Sequence, residues 1–306
     1  MTELQVRRPR FNFGDADVPF AWNPENPQFS FFMNATSMIA IGFEQMIVAA
    51  VQEARPLITD PEVLAEAAAF LRQEAQHSSS HRKHVAALID HYPGLQETFD
   101  AVNAAFDEVT ATTPLNFRLA YIADLEATFT PAFKLMLDNE RTLFRPGDDR
   151  VASLFLWHFV EEVEHRSSAL VIYDAVVGDR WYRMRALPAT LRHLVQVSRI
   201  LADGVNQHVP LQDRRIDART FVPADRVRLA LRQRFSPDSE HMVKSVPAFH
   251  SVPWREKLTS VGRVLLSQTP FHDPNHQPLP RFADRWFRRY DEGADVTRWY
   301  AAERAG

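Results

Sequence analysis

The sequence contains no cysteine among its 306 residues. Disulfide frameworks, thiolate zinc sites, iron–sulfur clusters and cysteine nucleophiles are therefore excluded. A chain of this length can bury a large core without covalent cross-links. Any metal ion that it holds must be bound through nitrogen and oxygen.

Long apolar runs are also missing. No uninterrupted apolar stretch approaches the roughly 20 residues that span a bilayer. The adjacent Arg7 and Arg8 are not followed by the apolar run of a secretory signal. We therefore expect a cytoplasmic protein without a membrane span. The net charge of −4 argues against general nucleic-acid binding.

Glycine is scarce, whereas alanine, leucine and glutamate are plentiful in the first two thirds of the chain, so the sequence predicts an all-α fold. Prolines and turn clusters divide it into four long helices in two pairs. The predicted long helices are 34–55, 60–91, 115–140 with a kink at Pro131, and 150–177. Shorter helices are predicted near 95–112, 187–207, 223–234 and 253–267, with a loop at Thr269–Pro280 that is either a lid or an ordinary surface loop.

Two of the long helices carry a Glu-x-x-His motif, Glu74 to His77 and Glu162 to His165. Three helical steps bring the two side chains to within about 60° of one another, so each pair can present a carboxylate and an imidazole to one ion. A single such motif is usually a solvated helix face. Two motifs on two helices indicate a metal site more strongly.

Each motif helix is preceded by a helix with an acid in apolar surroundings, Glu44 before the first and Glu126 before the second. Their spacings suit antiparallel helix pairs that bring the acids to one height in a bundle core. A buried carboxylate costs several kcal/mol unless a cation pairs with it. A metal ion would supply that cation.

The order Glu, Glu-x-x-His, Glu, Glu-x-x-His resembles the ferritin-like non-haem di-iron carboxylate proteins over about residues 34–177. Local strings around Gln73–His81, Trp157–His165 and Tyr173-Asp174 also resemble a bacterial family catalogued as predicted metal-dependent hydrolases. These resemblances imply a ferritin-like four-helix bundle with a C-terminal helical extension. The implied division is an irregular segment at 1–33, a di-metal bundle at 34–178 and an extension packed on the bundle at 179–306.

Carried over position by position, the resemblance implies six metal ligands, with Glu44 and Glu126 as bridging carboxylates. The six are Glu44, Glu74, His77, Glu126, Glu162 and His165. His81 and His158 lie on or near the same helical stripe, and each is a candidate additional ligand, proton relay or core histidine. Glu161 competes with Glu162, but the Glu-x-x-His spacing favours Glu162.

The ligand set suits two iron ions, with manganese or a mixed pair as alternatives. Our first interpretation is an oxygenase or oxidase that uses dioxygen, a small, largely apolar substrate and a separate electron donor such as a ferredoxin and its reductase. A two-metal hydrolase is the alternative. Iron binding or storage is a third interpretation, which the long chain after the bundle disfavours. The sequence leaves open whether the protein is a homodimer.

Charge is unevenly distributed along the chain. Residues 180–235 contain twelve arginines and no lysine against four aspartates and no glutamate. The arginines either pair with acids on the bundle or form a basic face that steers an acidic partner or anionic substrate. Arg183, Arg185 and Arg192 are the residues by which we distinguish the two interpretations.

Overall fold

The computed structural model describes residues 4–222, 225 and 246–301, which are helical and irregular with no strand among them. This confirms the all-α prediction. The predicted helix near 223–234 lies outside the described residues, apart from residue 225. The α-helices are, in chain order, α1 (Pro27–Ala54), α2 (Pro61–His91), α3 (Leu95–Thr112), α4 (Leu115–Asp138), α5 (Glu140–Leu143), α6 (Asp149–Glu164), α7 (Ser168–Val176), α8 (Arg180–His208), α9 (Leu211–Arg214), α10 (Trp254–Ser267) and α11 (Arg281–Asp291).

Helix α1 begins at Pro27, so the predicted start at Asn34 is wrong. Asn26 is the N-cap, and its side chain accepts a hydrogen bond from the backbone N–H of Phe29 at 3.1 Å. Pro27 at the first helical position favours the same start. Asn34 is buried inside the helix and donates to the carbonyl of Phe20 at 2.9 Å. It therefore anchors the segment that precedes the helix.

The predicted helix 150–177 is divided in two, because α6 ends at Glu164 and α7 begins at Ser168. The turn between them is held by one local and one long-range hydrogen bond. Arg166 donates to the carbonyl of Val163 at 3.0 Å, and the Ser168 hydroxyl donates to Glu66 of α2 at 2.5 Å. His165 lies in this turn and is completely buried.

The core lies where α1, α2, α4 and α6 meet. Helix α1 packs on α2, α3 and α4, whereas α4 also contacts α6, α7, α8 and α10. The segment before α1 covers the core with buried aromatic side chains, among them Phe11, Phe13, Phe20 and Trp22. These contacts fix the inner faces on which the predicted ligands lie.

The stretch Pro27–Leu57 is long and apolar enough to cross a bilayer by length and composition alone, contrary to our expectation. However, 72% of its most apolar window is buried inside the protein. Its apolar character is therefore accounted for by packing against the neighbouring helices.

Helix α8 approaches α3 closely at Gly204. A Cβ atom there would lie 2.8 Å from Cβ of Thr98, whereas a Cβ at Gly262 of α10 would meet nothing within 4 Å. We expect Gly204→Ala to reduce the free energy of unfolding by about 1–3 kcal/mol through overpacking. Gly262→Ala is the matched control and should be neutral or stabilising by up to about 1 kcal/mol. Chemical denaturation of both variants measures the difference, and equal stabilities would contradict this helix contact.

Candidate metal centre

Four helices bring the nine residues singled out from the sequence into the core. Helix α1 provides Glu44, α2 provides Glu74, His77 and His81, and α4 provides Glu126. Helix α6 and the turn after it provide the rest. The last four are His158, Glu161, Glu162 and His165. All nine are buried, and none is more than 4% exposed.

Both Glu-x-x-His motifs meet in one cluster. Glu74, His77, Glu162 and His165 each offer a ligand atom within 4.8 Å of the others. His165 Nε2 lies 3.3 Å from Glu74 Oε1, and His77 Nδ1 lies 3.4 Å from Glu162 Oε1. The cluster therefore combines two carboxylates and two imidazoles from α2 and the end of α6.

Several atoms of this cluster have no hydrogen-bond partner among the described residues. They are both oxygens of Glu74, Nδ1 of His77, one oxygen of Glu162 and both ring nitrogens of His165. Buried polar atoms are almost always paired, because an unpaired one costs about 1–3 kcal/mol. Converging, unpaired nitrogen and oxygen atoms are the arrangement that a cation would satisfy. The donor set fits a metal ion.

A second cluster consists of Glu44, His81 and His158, whose ligand atoms also lie within 4.8 Å of one another. His158 Nε2 lies 2.8 Å from Glu162 Oε1 and 3.8 Å from Glu44 Oε1. Glu162 therefore contacts residues of both clusters, since the same oxygen also faces His77 and His165.

Glu126 lies beside the first cluster. Its Oε2 is 3.9 Å from Nδ1 of His165, and neither of its oxygens has a hydrogen-bond partner among the described residues. Burial, together with the charges of Glu162 and Glu74, raises its pKa well above the usual value. A carboxyl group in this position needs either a proton or a cation.

The clustered carboxylates have opposite pKa shifts. Burial raises the pKa of Glu44 well above its usual value and that of Glu74 to about 7, and neighbouring carboxylates add to both shifts. Burial would also raise the pKa of Glu162, but His165 and the hydrogen bonds of the surrounding histidines lower it well below its usual value. Glu162 is therefore the carboxylate that most strongly retains its negative charge.

Glu161 lies on the far side of His77 from the unpaired atoms. Its Oε2 accepts from His77 Nε2 at 3.0 Å, and its Oε1 lies 3.3 Å from Nη1 of the buried Arg7. Arg7 also binds Glu164 at 2.8 Å, and Gln73 donates to the same carboxylate. A carboxylate behind a histidine fixes which ring nitrogen carries the proton. Here it leaves Nδ1 of His77 free to face Glu162.

The two additional histidines belong to a continuous hydrogen-bonded chain. His158 Nδ1 lies 2.7 Å from His81 Nε2, and the Ser37 hydroxyl lies 2.9 Å from His81 Nδ1. The same hydroxyl lies 2.8 Å from Nδ1 of His84. Both nitrogens of His81 are therefore occupied, which favours the relay interpretation over the ligand interpretation for this residue.

Sequence reasoning missed Arg7, Ser37 and His84. The position of His84 carried a signal, because it continues the helical stripe of His77 and His81 by three residues. Ser37 lies seven residues, about two helical turns, before Glu44 in an apolar helix, and a single serine there carried no signal. Arg7 is remote in sequence from every motif, so only the tertiary structure brings it to Glu161.

The fold and the clusters define an all-helical protein with a buried carboxylate–histidine centre. The chain matches the family model described as predicted metal-dependent hydrolase over residues 5–256, and it belongs to that family. This match favours the hydrolase alternative over the dioxygen-dependent interpretation. No curated protein and no solved structure shows significant similarity to the chain.

The raised pKa values predict how the stability of the metal-free protein depends on pH. Glu44, Glu74 and Glu126 have raised pKa values in the folded state, so the unfolded chain loses its protons first as pH rises. The folded protein therefore becomes less stable relative to the unfolded chain as the pH rises, until the pH passes the pKa of each carboxyl in the folded state. For Glu74 that pKa is about 7. The raised pKa values of His77 and His165 act in the same direction.

We therefore expect the thermal midpoint of the metal-free protein to fall as the pH rises from about 4.5, the ordinary pKa of a glutamate, to about 7. Glu126→Gln should flatten this slope, because glutamine cannot ionise, whereas Glu108→Gln on the exposed face of α3 should not change it. Differential scanning calorimetry of the chelator-treated protein measures the slope. A midpoint that rises over this range would show that the carboxyls are not protonated in the folded state.

The contact of Arg7 with Glu161 predicts an effect on metal affinity. Without the guanidinium, Glu161 is no longer held in place and cannot fix the orientation of the His77 ring. Arg7→Gln should therefore weaken metal binding by about 10- to 100-fold. Arg8→Gln is the matched control, since Arg8 is exposed. Competition with a chromogenic chelator, well below the unfolding temperature, measures both affinities. Equal affinities in the two variants would exclude this role for Arg7.

Proposed function

We propose that this protein is a two-metal-ion hydrolase acting on a small, largely apolar substrate. One observation carries the proposal: Glu74, His77, Glu162 and His165 are buried, each offers a ligand atom within 4.8 Å of the others, and each has at least one polar atom without a partner among the described residues. Membership in a family described as predicted metal-dependent hydrolase supports the reaction class. The proposed ligands are Glu44, Glu74, His77, Glu126, Glu162 and His165.

The geometry favours Glu162 for the bridging role that the sequence analysis gave to Glu44 and Glu126. Its Oε1 lies 2.8 Å from His158, 3.4 Å from His77 and 3.6 Å from His165. It is also the carboxylate whose pKa is lowered. An ionised carboxylate that faces the histidines of both Glu-x-x-His motifs would be suited to be shared by two cations.

The six proposed ligands would hold two divalent cations, which would polarise a scissile bond and lower the pKa of bound water. His158 is placed to hold the proton that this water releases. Burial and the nearby charge of His77 lower the pKa of His158 to about 4 in the metal-free protein, so its ring is neutral near pH 7. Its contact with His81, which in turn contacts Ser37, would hold the ring in place for this proton transfer. The leaving group then takes a proton back from His158.

Aromatic rings enclose the centre and support the choice of an apolar substrate. Trp157 contacts the ring of His77 at 5.0 Å between centroids, and Phe70 contacts His165 at 4.9 Å. Phe133 and Phe155 lie against His158 and His81. These rings exclude bulk water, which strengthens the electrostatic interactions of the site.

Dioxygen activation is the second candidate function. The observation that favours it is the complete burial of an oxygen and nitrogen ligand set inside aromatic walls, a setting that suits two iron ions, or manganese in their place. This function would also need a separate electron donor such as a ferredoxin and its reductase. In either case we propose that α1, α2, α4 and α6 form a ferritin-like bundle that begins at Pro27 instead of residue 34, and that the described residues from 179 onward are an extension packed on it.

Metal substitution distinguishes the two functions. A hydrolase should cleave a member of an ester, amide and phosphoester panel under strict anaerobiosis, and it should work with redox-inert zinc. An oxygenase should instead consume dioxygen and need iron or manganese. Turnover that requires both iron and dioxygen would reverse the ranking.

Ligand variants test the centre itself. Glu74→Ala and His165→Ala should lower metal content from about two ions per chain and reduce hydrolysis by at least about 100-fold, because each removes a donor from the first cluster. Glu108→Ala should retain both properties. Elemental analysis after dialysis measures the ions, and unchanged metal content in the two ligand variants would exclude the assignment.

A further inference from the structure

Helix α10 has its polarity inverted relative to an ordinary surface helix. Its buried side chains are those of Ser260 and Ser267, and the Ser260 hydroxyl donates to the carbonyl of Pro131 in α4. A surface helix normally turns its apolar stripe toward the core. Here small polar residues face the protein instead.

The outward face of α10 carries a stripe of large apolar residues, which we call the apolar stripe: Trp254, Leu258, Val261 and Leu265. Their spacing of four, three and four residues places them within about 60° of one another around the helix. Their exposed fractions are 65%, 63%, 55% and 67%, respectively. The stripe is therefore regular and has no covering element among the described residues.

Three further side chains extend the stripe into an exposed apolar patch. Leu266 is 64% exposed, Phe271 is 83% exposed, and Trp181 at the start of α8 is 56% exposed. The rings of Trp181 and Phe271 meet edge to face at 6.2 Å. Arg183 joins the two helices, because it donates to the carbonyls of Ser267 and Thr269. Seven such side chains, at roughly 100 Å² each, exceed the few hundred Å² that monomers ordinarily expose.

Helix α10, which carries most of the patch, is basic, with two arginines and one lysine against one glutamate. The three arginines at the start of α8 are instead paired with acids: Arg180 with Asp174, Arg183 with Asp124 and Arg185 with Asp179. Arg255 and Lys257 lie on opposite sides of the apolar stripe, about 100° and 60° from Trp254 around the helix. A second copy of the chain docked on the stripe about a two-fold axis would bring these like charges together, which disfavours self-association.

We infer that the patch is a docking surface for the anionic face of a lipid bilayer. Exposed tryptophan, phenylalanine and leucine on one face, with arginine and lysine beside them, are the composition of a helix that lies in a membrane interface. Apolar side chains enter the boundary between headgroups and acyl chains, and the cations attract anionic headgroups. The patch is formed by two helices and a loop whose side chains protrude, so it fits a broad surface better than a single acidic helix.

Vesicle binding tests this inference with the full-length protein. Vesicles of about one part phosphatidylglycerol to three parts phosphatidylcholine should sediment the protein, and purely zwitterionic vesicles should do so much less. The double variant Leu258→Gln/Leu265→Gln should bind the anionic vesicles with an affinity at least about tenfold lower. Leu57→Gln/Leu211→Gln is the matched control, because Leu57 and Leu211 are also exposed, at 57% and 43%, but lie outside the patch.

Three outcomes would overturn the inference. Equal binding of the two double variants would show that the patch is not the contact, and equal binding to zwitterionic vesicles would remove the role of charge. Concentration-dependent dimers, seen by sedimentation equilibrium and lost in the Leu258→Gln/Leu265→Gln variant, would assign the patch to a second copy. Binding that weakens with salt and is lost only in the patch variant would support it. The readout does not depend on the metal chemistry, so it stands or falls separately from the proposed function.

Discussion

The central constraint on this structure is the burial of negative charge. Glu44, Glu74, Glu126 and Glu162 lie together in the core, and none is more than 3% exposed. Carboxylates so close together cannot all ionise without compensating positive charge. His77 and His165 supply part of it, because their pKa values are raised. The unpaired ligand atoms indicate that bound cations supply the remaining positive charge. The packing of this core therefore depends on metal binding.

The surrounding structure fixes the residues that meet this need. The segment before α1 lies across the core and carries Arg7, whose guanidinium is 4.5 Å from the ring of Phe287 in α11. The two ends of the chain thus meet at the carboxylate that orients His77. On the opposite side, Ser37 joins the histidines of α2. His77 and His81 are therefore held by contacts from distant parts of the sequence, which restrict their rotamers before any ion binds.

Sequence periodicity was sufficient for what depends on local chemistry. Helix α2 begins after the Asp60 cap and ends before Pro93, as predicted, and the two Glu-x-x-His motifs indicated which faces meet. It was insufficient where tertiary contacts decide. The helix breaks at His165 because Ser168 hydrogen-bonds to Glu66 of α2. Helix α1 starts after Asn26 because Asn26 caps it, whereas Asn34, an equally plausible cap from sequence, binds the carbonyl of Phe20. Helix α11 was not predicted, because its buried Trp286 has meaning only against the bundle.

The arginine-rich stretch shows why composition alone could not choose between structural and docking roles. Arg183 is 1% exposed, lies 3.4 Å from Asp124 of α4 and binds the end of α10, so it is structural and unsuitable as a docking variant. Arg185, two residues later, has a 63% exposed side chain beside Asp179. Successive arginines of one helix thus differ, since Arg183 is buried and Arg185 is exposed. Asp124 lies two residues before Glu126 in α4. Helix α4, which provides a candidate ligand, is therefore bound through Asp124 and Arg183 to α8 and α10, which carry the exposed patch.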